Sequence, residues 1–142
     1  MPLAEFITGN RKTQRQPAEI LSQVFVPRTV ENAPSTFLKL GVRRYLVISI
    51  AMVAAVIDKD AMNRVRDARI SVGSCSVVAR RMPELERALI GQPAKPGLAS
   101  LTRPEHLKDL SPISDVRATA PYRRHAALCL VRRAIDLCAG VS

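Results

Sequence analysis

Tryptophan is absent from these 142 residues, and aromatics reach only 4% of them. The two tyrosines and three phenylalanines lie far apart. Readers of single-stranded nucleic acid interleave basic residues with aromatics that stack on bases, so that class is disfavoured. Cysteine is scarce too: Cys75, Cys129 and Cys138 are odd in number and show no CxxC spacing. Neither a disulfide framework nor a zinc pattern is indicated, and buried thiols in a reducing cytosol are expected. The six glycines stand singly, with no GxGxxG and no GxxxxGK[ST]. His106 and His125 are the two histidines, and no Ser, Cys or carboxylate sits at a triad spacing from either. Residues Met1 to Phe6 lack a basic stretch leading into an apolar run, so no secretory signal is read there. The longest apolar run, Tyr45 to Ile57, is broken only by Ser49. It is too short for a membrane-spanning helix, which needs about 20 residues. A cytoplasmic protein without membrane contact is expected.

What is present is an apolar content of 47% and 22 Lys+Arg against 12 Asp+Glu, a formal net charge of +10. Nearly half the chain is available for burial, which argues against disorder, and the length suits one domain. The cations are spread over most polar stretches and form no single run. That distribution favours docking to an acidic partner or a phosphate-rich ligand over nucleic acid.

Along the chain, residues 7–19 are polar and basic, bounded by Gly9 and Pro17, and read as surface loop. Glu19 to Val26 reads as a strand ended by Pro27. Ser35 to Gly41 suits a short strand. The apolar run to Ile57, the polar turn Asp58 to Asn63 and the alternating Arg64 to Val72 together predict a hairpin. The alternation in its second arm is imperfect, with Val65, Asp67, Arg69 and Ser71 on one face by count. Gly73 ends that arm, and Cys75 to Ala79 begins a further strand. Pro83 with Glu84 and Glu86 in the first turn predicts a helix closed by Gly91. Its shared face is Leu85, Ala88 and Leu89. Pro104 to Leu110 reads as a short helix. Thr119 is the expected N-cap of the last helix, with Pro121 just inside it. Ala126, Ala127, Leu130, Val131, Ala134, Ile135 and Cys138 form its apolar face, with Arg123, Arg124, Arg132 and Arg133 opposite. Strands followed by helices give an α+β fold: a small antiparallel sheet of three to four strands packed against about three helices.

Four segments together resemble one family, the FAD-binding medium subunit of the molybdenum hydroxylases, in its C-terminal portion. This group includes xanthine dehydrogenase and aerobic carbon monoxide dehydrogenase. The segments are Phe6 to Thr13 with Pro17 to Leu21 and Val26-Pro27; Ser35 to Gly41 with Arg43-Arg44; Ala68 to Gly73 with Glu84 to Gly91; and Pro112 to Arg124. Their order and spacing run through nearly the whole chain. The resemblance implies that residues 1–34 are the tail of the FAD-binding domain and a linker, and that 35–142 are the C-terminal domain. It also implies a role. Substrate is hydroxylated at molybdopterin on a large subunit, and electrons pass through 2Fe–2S clusters on a small subunit to FAD here. They then leave to an acceptor.

The same resemblance implies that Lys39 reaches the flavin ring, that Leu21 is an apolar contact to it, and that Phe37 sits near the isoalloxazine. Arg43 and Arg44 fit the flavin edge or a link to a partner subunit. Asp115, Arg117, Tyr122 and Arg123 read as a loop and helix-start network. Related subunits are expected to be about twice this length. Gly-rich loops that cradle a pyrophosphate through backbone amides do not occur in these residues. The expectation is therefore a flavoprotein fragment, inactive alone and sharing FAD with an N-terminal flavin domain. The alternatives are a non-enzymatic basic docking or nucleic-acid-binding module, or a non-functional truncated remnant.

Overall fold

Alternation of exposed and covered side chains sets in at Ser35 and organises the rest of the chain. The computed structural model describes residues 1–43 and 47–140. Strand β3 (Ser35–Leu40) turns Thr36, Leu38 and Leu40 inward and leaves Ser35, Phe37 and Lys39 outside. Strand β4 (Ala51–Lys59) buries Ala51, Val53, Ala55 and Ile57, and β5 (Val65–Gly73) buries Val65, Ala68, Ile70 and Val72. A two-residue strand β6 (Arg80–Arg81) completes an antiparallel sheet in the order β3-β4-β5-β6. Tyr45 and Leu46, the start of the long apolar run, lie outside the described residues.

The imperfect alternation of Arg64 to Val72 has a local cause. The register pairs Asp58 with Asp67 but Lys59 with Val65, leaving Arg66 as an extra residue. This β-bulge shifts the phase by one. Val65 stays inward, and the inward set resumes at Ala68 rather than Asp67. Arg66 instead reaches Asp58 at 2.7 Å. The connecting turn is closed by the Asp60 carboxylate, which accepts from the backbone N–H groups of Met62 and Arg64.

Helices cover one face of the sheet. Helix α2 (Pro83–Leu89) packs on β5 through Leu85 and Leu89, while its Ala88 is exposed. Helix α3 (Ala120–Ala139) lies across β4 and β3, burying Ala127, Val131, Ala134 and Ile135. Thr119 caps α3, its Oγ1 accepting from the N–H of Tyr122, and Gly140 at φ +82° closes it. The core lies between sheet and helices, where each fully buried Ile, Leu or Val stabilises by about 1.5–3 kcal/mol. This is the α+β arrangement expected, and among the described residues no helix is long and apolar enough to cross a membrane.

The N-terminal part differs from the reading of its sequence. A short helix α1 (Leu3–Phe6) leads into a small hairpin, β1 (Ile7–Gly9) and β2 (Lys12–Thr13). The strand expected over Glu19 to Val26 is not formed, and Ile20, Val24, Phe25 and Val26 are exposed. Alternation makes a strand only when the segment pairs with another, and this one does not add to the open edge of β3. Its first residue instead closes a local turn with the residues before it: Glu19 accepts from the Gln16 N–H, and the Arg15 guanidinium donates to the Glu19 carbonyl. Cys75 to Ala79 likewise bends rather than extending as a strand, and Pro104–Leu107 is a 3-10 turn.

Candidate functional site

Phe37 and Lys39 are two residues apart on β3, so the pleat puts both on the same side of the sheet. That side is not covered by helix, and Phe37 keeps 61% of its surface exposed. Across the strands Phe37 stands beside Ala54 and then Ser71, while Lys39 stands beside Met52 and then Gly73. Small residues beside the Phe37 ring leave it standing clear of its neighbours. The Lys39 Nζ donates to the carbonyl of Val47 at 2.7 Å, which holds the ammonium over the end of the sheet with two N–H groups still to give. Val47 in turn packs so closely on Gly41 that a β-carbon there would overlap it. Leu21 lies in the N-terminal segment outside helices and strands, more than half exposed. Arg43 is exposed just beyond β3, and Arg44 lies outside the described residues.

An exposed aromatic face beside a fixed cation suits one edge of an aromatic heterocycle that gains negative charge on reduction. The second requirement of FAD, a run of backbone N–H groups around a pyrophosphate, is not met among the described residues. The glycines with φ in the left-handed region, Gly91, Gly97 and Gly140, are solitary and lie at helix ends or in a loop. These residues therefore fit the ring and not the pyrophosphate.

A second polar cluster lies at the start of α3. The Asp115 Oδ1 accepts from the backbone N–H groups of Arg117 and Ala118 and from Arg123 Nη2 at 2.7 Å. Its Oδ2 accepts from Arg117 Nη1 at 2.8 Å. The Arg117 backbone N–H first, and the Arg123 guanidinium after it, hold the Asp115 carboxyl well below the usual carboxylate range. Arg123 Nη1 also donates to the carbonyl of Ile50. One side chain thus ties the loop, the entry to β4 and the first turn of α3. Asp115, Arg117 and Arg123 form the expected loop and helix-start network, while Tyr122 enters only through its backbone N–H, given to Thr119, and its ring is exposed. Arg123, however, does not lie on the outer side of α3 with the other arginines and is only 3% exposed. The overlooked signal is its spacing: 123, 127, 131, 134 and 138 share one helical face.

The thiols divide. Cys75 and Cys138 are buried, and burial pushes both thiols up from their ordinary range. Cys129 is exposed, against the expectation of three buried thiols, with its Sγ 3.5 Å from His125 Nε2. His106 has a capping role, its Nδ1 accepting from the Arg103 N–H.

The chain is 36% identical over 81 residues to the nicotine 6-hydroxylase medium subunit of Paenarthrobacter nicotinovorans, a match covering 57% of this chain and 29% of that one. It superposes on quinoline 2-oxidoreductase from Pseudomonas putida 86 with a TM-score of 0.81 at 22% identity, covering 96% of this chain and 47% of that one. The cyanide-inactivated form of Cu,Mo-CO dehydrogenase gives 0.78 at 22% identity, covering 97% and 48%. The chain therefore spans less than a third of the first relative and about half of each of the two structures. At those identities the structures establish the fold. The profile of the CO dehydrogenase flavoprotein C-terminal domain matches residues 36–137, from β3 through almost all of α3. The chain belongs to the CO dehydrogenase flavoprotein C-terminal domain family.

Proposed function

We propose that the chain serves in the FAD-carrying medium subunit of a molybdenum hydroxylase, with residues 35–142 as its C-terminal domain and 1–34 as the tail of the flavin domain and linker. In that reading electrons arrive from 2Fe–2S clusters on a small subunit, and a molybdopterin-bearing large subunit hydroxylates the substrate. When bound, FAD supplies the two-electron redox chemistry. The residues of this chain bind and orient it. Phe37 offers an apolar face to the ring, Lys39 places a positive charge where negative density develops, and Leu21 adds an apolar contact. The match over 36–137 carries the reading, and the exposed Phe37–Lys39 pair on the uncovered sheet face supports the site.

Two measurements test it. The chain by itself, mixed with FAD and passed through gel filtration, is expected to leave the flavin in the free fraction, because its described residues form no pyrophosphate cradle. A stoichiometrically yellow chain would contradict that. In the subunit joined to a flavin domain, Lys39→Met is expected to lower the flavin reduction potential, and Phe37→Ala to loosen FAD retention. Folding should be unchanged for both, since the two side chains are exposed. An unaltered potential in Lys39→Met would remove Lys39 from the site.

A further inference from the structure

We propose that the cavity between the N-terminal hairpin, the end of β5 and the loop before α3 binds a phosphate monoester with an apolar body. The cavity measures about 420 Å³ and draws its polar walls from separate parts of the chain. Asn10 comes from the hairpin turn, Ser49 from the approach to β4, Ser74 from the exit of β5, and Ser111 and Arg117 from the loop before α3. The hydroxyls of Ser49, Ser74 and Ser111 and the Asn10 amide have no hydrogen-bond partner among the described residues. Several polar groups from distant parts of the chain thus border one solvent-open space and have donors to spare for a ligand.

Charge selects the ligand. Arg117 and Arg123 share the single carboxylate of Asp115, which leaves one positive charge in excess. Arg117 spends only Nη1 on Asp115, and a third of its side chain is exposed. The guanidinium of Arg123 is nearly wholly buried behind the wall with both Nη groups engaged, so it adds positive charge while Arg117 supplies the accessible donors. An anion is the species that this wall accepts. Ser49, Ser74 and Ser111 line the same space as Arg117, with Ser76 Oγ already engaged and Asp115 held by the two arginines, and hydroxyls with a guanidinium suit the oxygens of a phosphate.

Backbone strain points to the same place. Ser74 has φ +63°, a left-handed conformation that costs a residue with a β-carbon. Its carbonyl accepts from Arg123 Nη1, so the cluster holds it there. Strain of this kind concentrates at ligand sites. At the mouth, Ile48, Val77 and Ile113 are each more than 60% exposed. Apolar groups at the rim of a polar floor suit a ligand with an anionic head and an apolar body.

The test uses the full chain, with phenyl phosphate, inorganic phosphate and benzoate followed by calorimetric titration. Phenyl phosphate is expected to saturate at millimolar concentration or below, and to bind about tenfold more tightly than inorganic phosphate because of the rim. Arg117→Met is expected to weaken it about tenfold and Ser111→Ala less, both keeping the wild-type circular dichroism spectrum. The proposal is overturned if phenyl phosphate fails to saturate, or if folded Arg117→Met binds it as well as wild type. Benzoate binding as tightly as phenyl phosphate would overturn the phosphate assignment.

Discussion

At the residue scale, a few polar side chains have roles that composition alone does not show. Arg123 is charged yet buried, and it is tolerated because Asp115 and the Ile50 carbonyl receive its guanidinium. Asp115 makes the clearest pH signature. Its pKa lies below the unfolded value, so its share of stability is present above the ordinary carboxylate range and is lost as pH falls through and below it. Asp115→Asn is expected to be less stable than wild type near neutrality, with the gap narrowing towards about pH 2. Urea midpoints across that range would show it, and a constant gap would count against it. The thiols give a second expectation. With iodoacetamide under native conditions, Cys129 should label while Cys75 and Cys138, buried and with raised pKa values, stay unmodified until urea is added. Peptide mapping distinguishes this from uniform labelling. The family resemblance made the Asp115–Arg117–Arg123 network legible. The helical spacing puts Arg123 on the buried face with Ala127 and Val131, but what makes a charge tolerable there, the Ile50 carbonyl, is distant in sequence and was not legible.

At the scale of elements, signals that act locally were readable and signals that need a partner were not. Thr119, Pro121 and the apolar face of α3 mark a helix by near-neighbour rules, and α3 follows them. Pro83 and the early glutamates mark α2 in the same way. The Glu19 to Val26 alternation pairs with no strand although β3 is an edge of the sheet, and the β5 bulge became visible only once Asp58 and Lys59 were opposite. One close approach between strands can be tested directly. Gly73 pairs with Met52, and a β-carbon on Gly73 would run into the Met52 side chain. Gly73→Ala is expected to cost about 1–2 kcal/mol, because Met52 must leave its rotamer. In a Met52→Ala background the same change should cost about 1 kcal/mol less, a coupling that a double-mutant cycle on denaturation midpoints measures. Additive effects would show that the obstacle lies elsewhere.

For the whole molecule, the sheet with helices on one face leaves its opposite face to the Phe37–Lys39 pair, and the +10 charge surrounds that arrangement. Six carboxylates, those of Glu31, Asp58, Asp67, Glu84, Glu86 and Asp115, already serve ion pairs among the described residues. Arg11, Lys12, Lys95 and Arg133 have no carboxylate partner there, so repulsion among cations is not cancelled nearby. Added salt acts on both terms. Exposed pairs such as Arg28–Glu31 contribute about 0–1 kcal/mol each, so screening them removes little. Repulsion among the excess cations sums over many pairs at longer range, and it decays once the Debye length shortens to about 10 Å at 0.1 M. Repulsion should therefore be the larger loss. Raising sodium chloride from a few millimolar to physiological strength is expected to raise the melting temperature by a few degrees, roughly 4 °C for each kcal/mol recovered. A melting temperature that falls with chloride would mean that the ion pairs outweigh the repulsion. Phosphate at matched ionic strength separates the general effect from occupation of the Arg117 cavity: a rise beyond that of chloride, absent in Arg117→Met, belongs to the site.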